Sequence, residues 1–408
     1  MPESAAAAFA RLQTLPAEQA VAYLQGRGQL TKTFSWQDLW HDEHAQQFTV
    51  SRLARMDILK AMQDGITASV QGDLSRRDWT RDIGALLKKE GWWGEKEVLD
   101  EFTGEMVKTK FDPARLKLIF DTNTRMAYAA GLWERIEQSK GSHPYIRYIT
   151  RGDERVRLQH RRWANLTLPV DHPFWKTRFP PNAFRCRCRA MSISRDEYDR
   201  RKAAGTIETG APPDDPQTFV NQRSGEVSQV PAGVAPGFDY NPGIARATRL
   251  RQVAAEKIEA LPAPLAAAAV KDITSSQDFA RWLAHPEGAY PLIVIPDADA
   301  LSIGSKVHTG MLSADTATKQ VGAHPEMTAA EYALAQSVID GATDKVQDTA
   351  HSLIYIREEV TEEQGGHVLI VKATKTGRGL WVTSYRRLSR QEAERDAEVS
   401  RLLAKGKK

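Results

Sequence analysis

Cysteine is almost absent: the 408 residues include two, Cys186 and Cys188. Separated by a single residue, they are poorly placed to bridge each other in ordinary disulfide geometry. A disulfide scaffold is therefore excluded, and a reducing compartment fits. No run of about 18 apolar residues occurs, which excludes a membrane-spanning helix. Residues 1–19 lack a basic segment followed by an apolar one, so no secretory signal is expected. No internal repeat is visible. The chain does have a 41% hydrophobic fraction against 26% charged. That is enough to build cores in the two to four domains that roughly 100–200 residues per domain would imply.

Charge is nearly balanced overall, with 56 Lys and Arg against 52 Asp and Glu and a net of +4. Its distribution is uneven. Arg147 to Lys202 holds 15 basic and 6 acidic residues, a net of +9, whereas Lys271 to the end holds 17 and 19, a net of −2. A basic middle suits an anionic partner, either nucleic acid or an acidic protein face, or else a solvated surface.

Periodicity divides the chain into four regions. Residues 1–140 read as a mainly helical N-terminal region. Phe48–Met62 places Val50, Leu53, Ala54, Ile58 and Met62 on one helical face. Asp112-Pro113 is a helix start, since Asp caps free amides and Pro is tolerated at the first helical position. Gly91-Trp92-Trp93-Gly94 breaks the earlier helices. Residues 141–204 form a small, loop-rich basic subdomain, with a strand at Tyr145–Thr150, a short basic helix at Asp153–Trp163 and loops over Leu168–Cys188. Residues 205–272 comprise a Gly/Pro-rich linker or extended arm to about residue 250, then an Ala-rich helix interrupted by Pro262 and Pro264. Residues 273–408 read as a separate α+β domain with strands at Leu292–Ile295, Ser352–Arg357, His367–Thr374 and Leu380–Arg387. Its helices are Ser313–Gln320, Thr328–Asp340 and a charged one starting at Ser389 and Glu392. Thr328 with Glu331 makes a capping-box pattern. Short turns between successive strands predict an antiparallel meander. The expected fold class is multidomain α+β.

The most informative stretches are Arg151-Gly-Asp-Glu-Arg-Val-Arg-Leu-Gln-His160, Leu168-Pro-Val-Asp-His-Pro-Phe-Trp175 and Pro180-Pro-Asn-Ala-Phe-Arg-Cys-Arg-Cys188. Together they resemble the phage Mu F-like head morphogenesis family of minor capsid proteins. Pro16–Leu24, Thr33-Phe-Ser-Trp36, His44 with Phe48-Thr-Val50, and Thr122 to Gly131 are similar to its longer, Mu-type members. The resemblance covers about residues 15–200. Ala183 departs from the Gly often found there in the family, leaving that turn's geometry open. The resemblance implies a low-copy structural protein of the virion head, made in the bacterial host cytoplasm and associated with portal and capsid proteins.

His160, His172, Cys186 and Cys188 could meet around one structural Zn²⁺, which takes four N or S ligands in a tetrahedron. Asp153 or Asp171 could replace His172. The alternative is a hydrogen-bonded histidine beside two small buried cysteines. Arg185, Arg187 and Arg189 alternate with the cysteines, which would put them on one face of an extended segment as a row contacting phosphate or a protein partner, or as a solvated face.

In the C-terminal region, Leu312 to Gln320, His324 to Thr328, Tyr332, Ile354 to Arg357, Val371 to Thr374 and Val382 to Arg387 resemble phage-type domains grouped with barnase, EndoU, colicin E5/D and RelE-like ribonucleases. That resemblance implies RNA and an immunity protein as candidate partners, besides DNA for the basic segment. Metal-independent RNA cleavage needs a proton acceptor, a proton donor and cations for the phosphorane. Lys319, His324, Lys372, Thr374, Ser384 and Arg386 would supply these if their faces coincide, with Tyr385 directed the other way. The expectation is a minor head protein carrying a ribonuclease-like effector. Two alternatives remain: a purely structural protein whose C-terminal domain is a non-catalytic binding module, and a stand-alone DNA-binding regulator, for which no recognition helix stands out.

Overall fold

The computed structural model describes residues 18–27, 29–30, 47–53, 55–100, 103–221, 225–361 and 365–407. The fold is mixed α+β. It divides into two compact units, Met1–Ala247 and Thr248–Lys408. Among the described residues no helix is long and apolar enough to cross a membrane.

The first unit opens with α1 (Glu18–Gly26) and the short parallel pair β1 (Gln29–Leu30) and β2 (Gln47–Phe48), followed by α2 (Met56–Gln71) and α3 (Arg76–Lys89). The hairpin β3 (Gly94–Leu99) and β4 (Met106–Phe111) then leads into the 27-residue α4 (Pro113–Ser139). The predicted start of α4 is present. The Asp112 carboxylate accepts the Arg115 amide at 2.8 Å, and Pro113 takes the first helical position. The helix buries Leu116, Phe120, Met126, Ala127, Ala130, Trp133 and Ile136, and α1 packs against it.

The helix expected over Phe48–Met62 begins only at Met56. Phe48 pairs with Leu30 in β2, and Arg52 turns the chain with φ +61°. Val50 and Leu53 are buried from that turn, which mimics helical spacing, while Ala54 lies outside the described residues. Pro16, Thr33 to Trp36 and His44 also lie outside them. The hairpin β3–β4 gives no clear strand signal. Its strands carry charged residues and bury only Val98, Thr109 and Phe111.

Past α4 the chain forms β5 (Tyr145–Ile149), α5 (Leu158–Arg162), β6 (Thr167–Pro169), α6 (Phe174–Arg178), β7 (Arg189–Ile193) and α7 (Arg195–Ala203). The three strands make an antiparallel sheet in the order β6-β5-β7. The basic helix expected from Asp153 is confined to α5, because the Val156 amide bonds the Asp153 carbonyl in a separate turn.

The stretch expected to be a linker is different. A hairpin of β8 (Pro216–Val220) and β9 (Val227–Pro231) is followed by α8 (Pro242–Glu259). Val230, Val234, Phe238 and Tyr240 are buried in the first unit's core. Two glycines of this stretch, Gly233 and Gly243, lie where the backbone approaches its neighbours closely. A Cβ on Gly243 would lie 2.4 Å from the Trp133 Cβ.

In the second unit, α9 (Ala263–Thr274) starts directly after Pro262, and α10 (Gln277–Ala284) follows. The chain continues through β10 (Ala289–Val294), α11 (Asp297–Ser302), β11 (Thr309–Ser313) and α12 (Ala314–Ala323). The predicted helix Thr328–Asp340 is two short ones, α13 (Ala329–Tyr332) and α14 (Ala335–Asp340). Strands β12 (Asp344–Thr349), β13 (Ser352–Thr361), β14 (Gly365–Ala373) and β15 (Leu380–Arg387) and helix α15 (Glu392–Leu403) complete the unit. The six strands run β10-β11-β15-β14-β13-β12. The expected meander is β13-β14-β15, and the only parallel neighbours in this sheet are β11 and β15.

The sheet's two faces pack differently. Leu353, Tyr355, Leu369, Val371, Val382 and Tyr385 meet α10, α12, α13 and α14 in the larger core. Ile354, Ile356 and Val368 face Val399 and Leu402 of α15. Both cores follow from period-two alternation along the central strands.

Gly243→Ala should destabilise the first unit by about 1–3 kcal/mol, because an added methyl meets rigid atoms at the root of Trp133. Urea unfolding of the full chain checks this; an unchanged midpoint would mean that helix α8 is not held against Trp133.

Candidate metal centre

His160 on α5 is 1% exposed, and its ring stacks on Trp163 with centroids 5.2 Å apart. Its Nε2 lies 2.8 Å from the Gly233 carbonyl oxygen. A carbonyl only accepts, so Nε2 carries a proton, and in the neutral ring Nδ1 presents a lone pair. That lone pair meets two sulfurs, with Cys186 Sγ at 3.8 Å and Cys188 Sγ at 3.6 Å. The three donor atoms all lie within 4.8 Å of one another.

The backbone explains why both sulfurs turn inward. The Cys186 amide bonds the Ala183 carbonyl at 3.1 Å, and Arg185 sits in the left-handed region with φ +60°. This turn carries the Pro180-Pro-Asn-Ala stretch into the cysteines. Arg125 of α4 donates to the Cys186 carbonyl at 2.8 Å, fixing the loop against the long helix. Tyr148 of β5 is buried beneath the sulfurs, and its hydroxyl donates to the Asn182 Oδ1 at 2.9 Å while also interacting with Cys188.

The hydrogen bond from Cys188 brings the Cys186 thiol down to about 4 against the opposing effect of burial, with His160 adding to the fall. Cys188, holding the proton beside that thiolate, moves upward. Burial, followed by the charge of the two cysteines, pushes the Tyr148 phenol well above its ordinary value.

His172 does not join this group and is corrected from the expected ligand set. Its Nδ1 accepts the Phe174 amide at 3.1 Å, closing the turn that opens α6. The two carboxylates considered in its place are engaged elsewhere. Asp153 receives both guanidinium arms of Arg187 at 2.6 Å, and Asp171 pairs with Lys140. Arg185, Arg187 and Arg189 do lie exposed on the side opposite the cysteines. They are not on one strand, however, since β7 begins only at Arg189, and Arg187 is committed to Asp153.

The six residues proposed for RNA cleavage are not brought together. Lys372 alternates with Ile370, and Ser384 and Arg386 pair in register with Ile370 and Val368. All three strand residues therefore lie on the face covered by α15, where Arg386 pairs with Glu398. Thr374 follows β14 and accepts the Gly379 amide at 3.1 Å. Lys319 and His324 belong to α12 and its C-terminal cap, and that helix packs through Ala317 into the core on the opposite face. His324 faces Glu326 at 3.1 Å. Tyr385 does point the other way, fully buried, with its hydroxyl donating to the Glu331 carbonyl at 2.9 Å.

Two features escape a reading of the sequence. Gly233, which orients His160, comes from the stretch read as linker. Glu331, read as half of a capping box, turns its carboxylate inward to His367 Nε2 at 2.8 Å and to Arg387. Thr328 still caps α13, accepting the Glu331 amide at 3.4 Å.

Residues 55–191, which hold His160 and both cysteines, match the family described as Phage Mu protein F like protein. Over 298 residues the chain is 29% identical to protein F of Escherichia phage Mu, a protein named for capsid assembly. This alignment covers 67% of the chain and 66% of the phage protein. It is also 29% identical over 162 residues to the Mu-like prophage FluMu F protein of Haemophilus influenzae, covering 40% of the chain and 38% of that protein. The chain thus spans less than two thirds of the length of either relative. No solved structure matches it.

Burial alone would raise the Glu331 carboxyl, but hydrogen bonds from Arg387 and His367 outweigh it and hold the group below its usual range. The paired carboxylate therefore stabilises the fold above the ordinary carboxylate pKa, and the contribution fades as pH falls through the lowered value. Glu331→Gln should cost roughly 3 kcal/mol near neutral pH and progressively less in acid. Urea titrations of both chains at several pH values check this, and a pH-independent difference would refute the ionised pairing.

Proposed function

We propose that this chain is a minor structural protein of a phage or prophage head, acting in head assembly beside portal and capsid proteins in the virion or the host cytoplasm. The 298-residue similarity to the Mu protein named for capsid assembly carries this reading. The basic middle gives it a physical means. Arg185 and Arg189 stand exposed on a folded base, so an acidic face of the assembling head can meet them without first ordering the loop.

For the C-terminal unit, a non-catalytic binding module fits the geometry better than a ribonuclease effector. The candidate proton carriers Lys319 and His324 belong to a helix on one side of the sheet, and the candidate phosphate holders Lys372 and Arg386 lie on the other. A phosphodiester in contact with one set does not reach the other.

In cells assembling the cognate particle, the chain should co-sediment with procapsids, and Arg185→Ala with Arg189→Ala should weaken that association most at low salt. Recovery only as free protein would defeat the head-assembly reading. The purified full chain should leave total RNA intact without divalent ions. Cleavage that disappears in Lys372→Ala or His324→Ala would restore the ribonuclease reading.

A further inference from the structure

The geometry points to a zinc site in which His160 Nδ1 and the sulfurs of Cys186 and Cys188 bind one Zn²⁺, with a solvent molecule as the fourth ligand. The inference is independent of the head-assembly reading.

Two stretches of the chain, helix α5 and the loop that leads into β7, deliver three donor atoms to a single point. With Zn–N near 2.0–2.1 Å and Zn–S near 2.3 Å in a tetrahedron, the N to S separation is about 3.6 Å. The observed separations are 3.6 and 3.8 Å. A thiol hydrogen-bonded to imidazole has a similar length, so distance does not decide between the two. Convergence does. Both sulfurs converge on the one Nδ1, which offers a single hydrogen-bonding position whether it accepts or donates. A cation placed between the three donors satisfies all of them at once.

The surroundings match what such a cation needs. A metal-bound histidine normally donates its other ring N–H to a carbonyl or carboxylate, which sets the tautomer. The Gly233 carbonyl is that acceptor. The donor set is one imidazole and two thiolates, which favours zinc over magnesium or calcium.

The fourth position follows from a separate observation. Among the described residues, no fourth histidine, cysteine or carboxylate joins the cluster. Beside it, Asn182 is fully buried, and its Nδ2 has no hydrogen-bond partner although its Oδ1 accepts from Tyr148. A buried amide donor without a partner is costly. A zinc-bound water or hydroxide is an acceptor that would satisfy it. The site thus has three protein ligands and one solvent ligand, with Tyr148 and Asn182 beside the cysteines.

The full-length chain, purified with zinc in the medium, should contain close to one zinc per chain by elemental analysis. Cys186→Ser, Cys188→Ser and His160→Ala should lose it, while His172→Ala keeps it. A second measurement avoids any folding defect in the variants. In the wild-type chain, bound Zn²⁺ should slow alkylation of both thiols at least tenfold, and chelation should restore the rate. Co²⁺ in place of zinc should give thiolate-to-metal absorption. Wild-type protein that neither retains nor takes up Zn²⁺, with alkylation unaffected by the ion, would overturn the site. Zinc retained in the double cysteine variant, or lost in His172→Ala, would overturn the ligand assignment.

Discussion

The hydrogen bond from His160 to the Gly233 carbonyl is the constraint around which the first unit's small sheet is organised. This sheet has three short strands and two five-residue helices, too few elements to enclose a core by secondary structure alone. It closes instead through aromatic side chains. Tyr148, Trp163, Phe174, Trp175 and Phe179 pack edge to face in sequence, and the His160 ring stacks on Trp163. Because the Gly233 carbonyl fixes which ring nitrogen carries hydrogen, it also fixes which one faces the sulfurs. A contact 73 residues away in sequence thereby sets the chemistry of the cysteine loop.

Close backbone approach recurs where the chain returns to this sheet. Gly233 has φ +86°, and a Cβ there would lie 2.8 Å from both Gln159 and Trp163. Gly243 meets Trp133 in the same way. Around these two points the Asn241 side chain accepts the Gly243 amide and donates to the Trp175 carbonyl. The segment therefore needs glycine for contact and asparagine for hydrogen bonding. Its composition is that of a linker, but its role is that of a strap.

That coincidence explains much of what the sequence left hidden. The start of α4, the strands β13 to β15 and the break after Pro262 were legible because each depends on neighbours in sequence: a cap and a proline, period-two alternation, a missing amide. The histidine and the two cysteines were legible as a set because they are rare residue types clustered in a loop-rich region. Other features rest on distant partners. His172 resembles a ligand until the Phe174 amide is seen to use its lone pair. Glu331 fits a capping box until Arg387 and His367 are found beside it. Four of the six polar residues proposed in the C-terminal unit lie on or beside strands and share parity there, but parity does not say on which side α12 and α15 pack.

The cysteine loop serves two directions at once. Alternation along Arg185-Cys-Arg-Cys-Arg189 sends the sulfurs to His160 and the guanidinium groups to solvent. The inward contacts, together with Arg125 on the Cys186 carbonyl and Arg187 on Asp153, hold the loop whose outward face carries Arg185 and Arg189. Long cationic side chains lose less freedom on binding when the backbone beneath them is already ordered. In the proposed head-assembly role, the buried His–Cys cluster would thus order the surface that meets a partner without touching that partner. Loosening it would weaken an electrostatic contact while leaving every exposed charge in place.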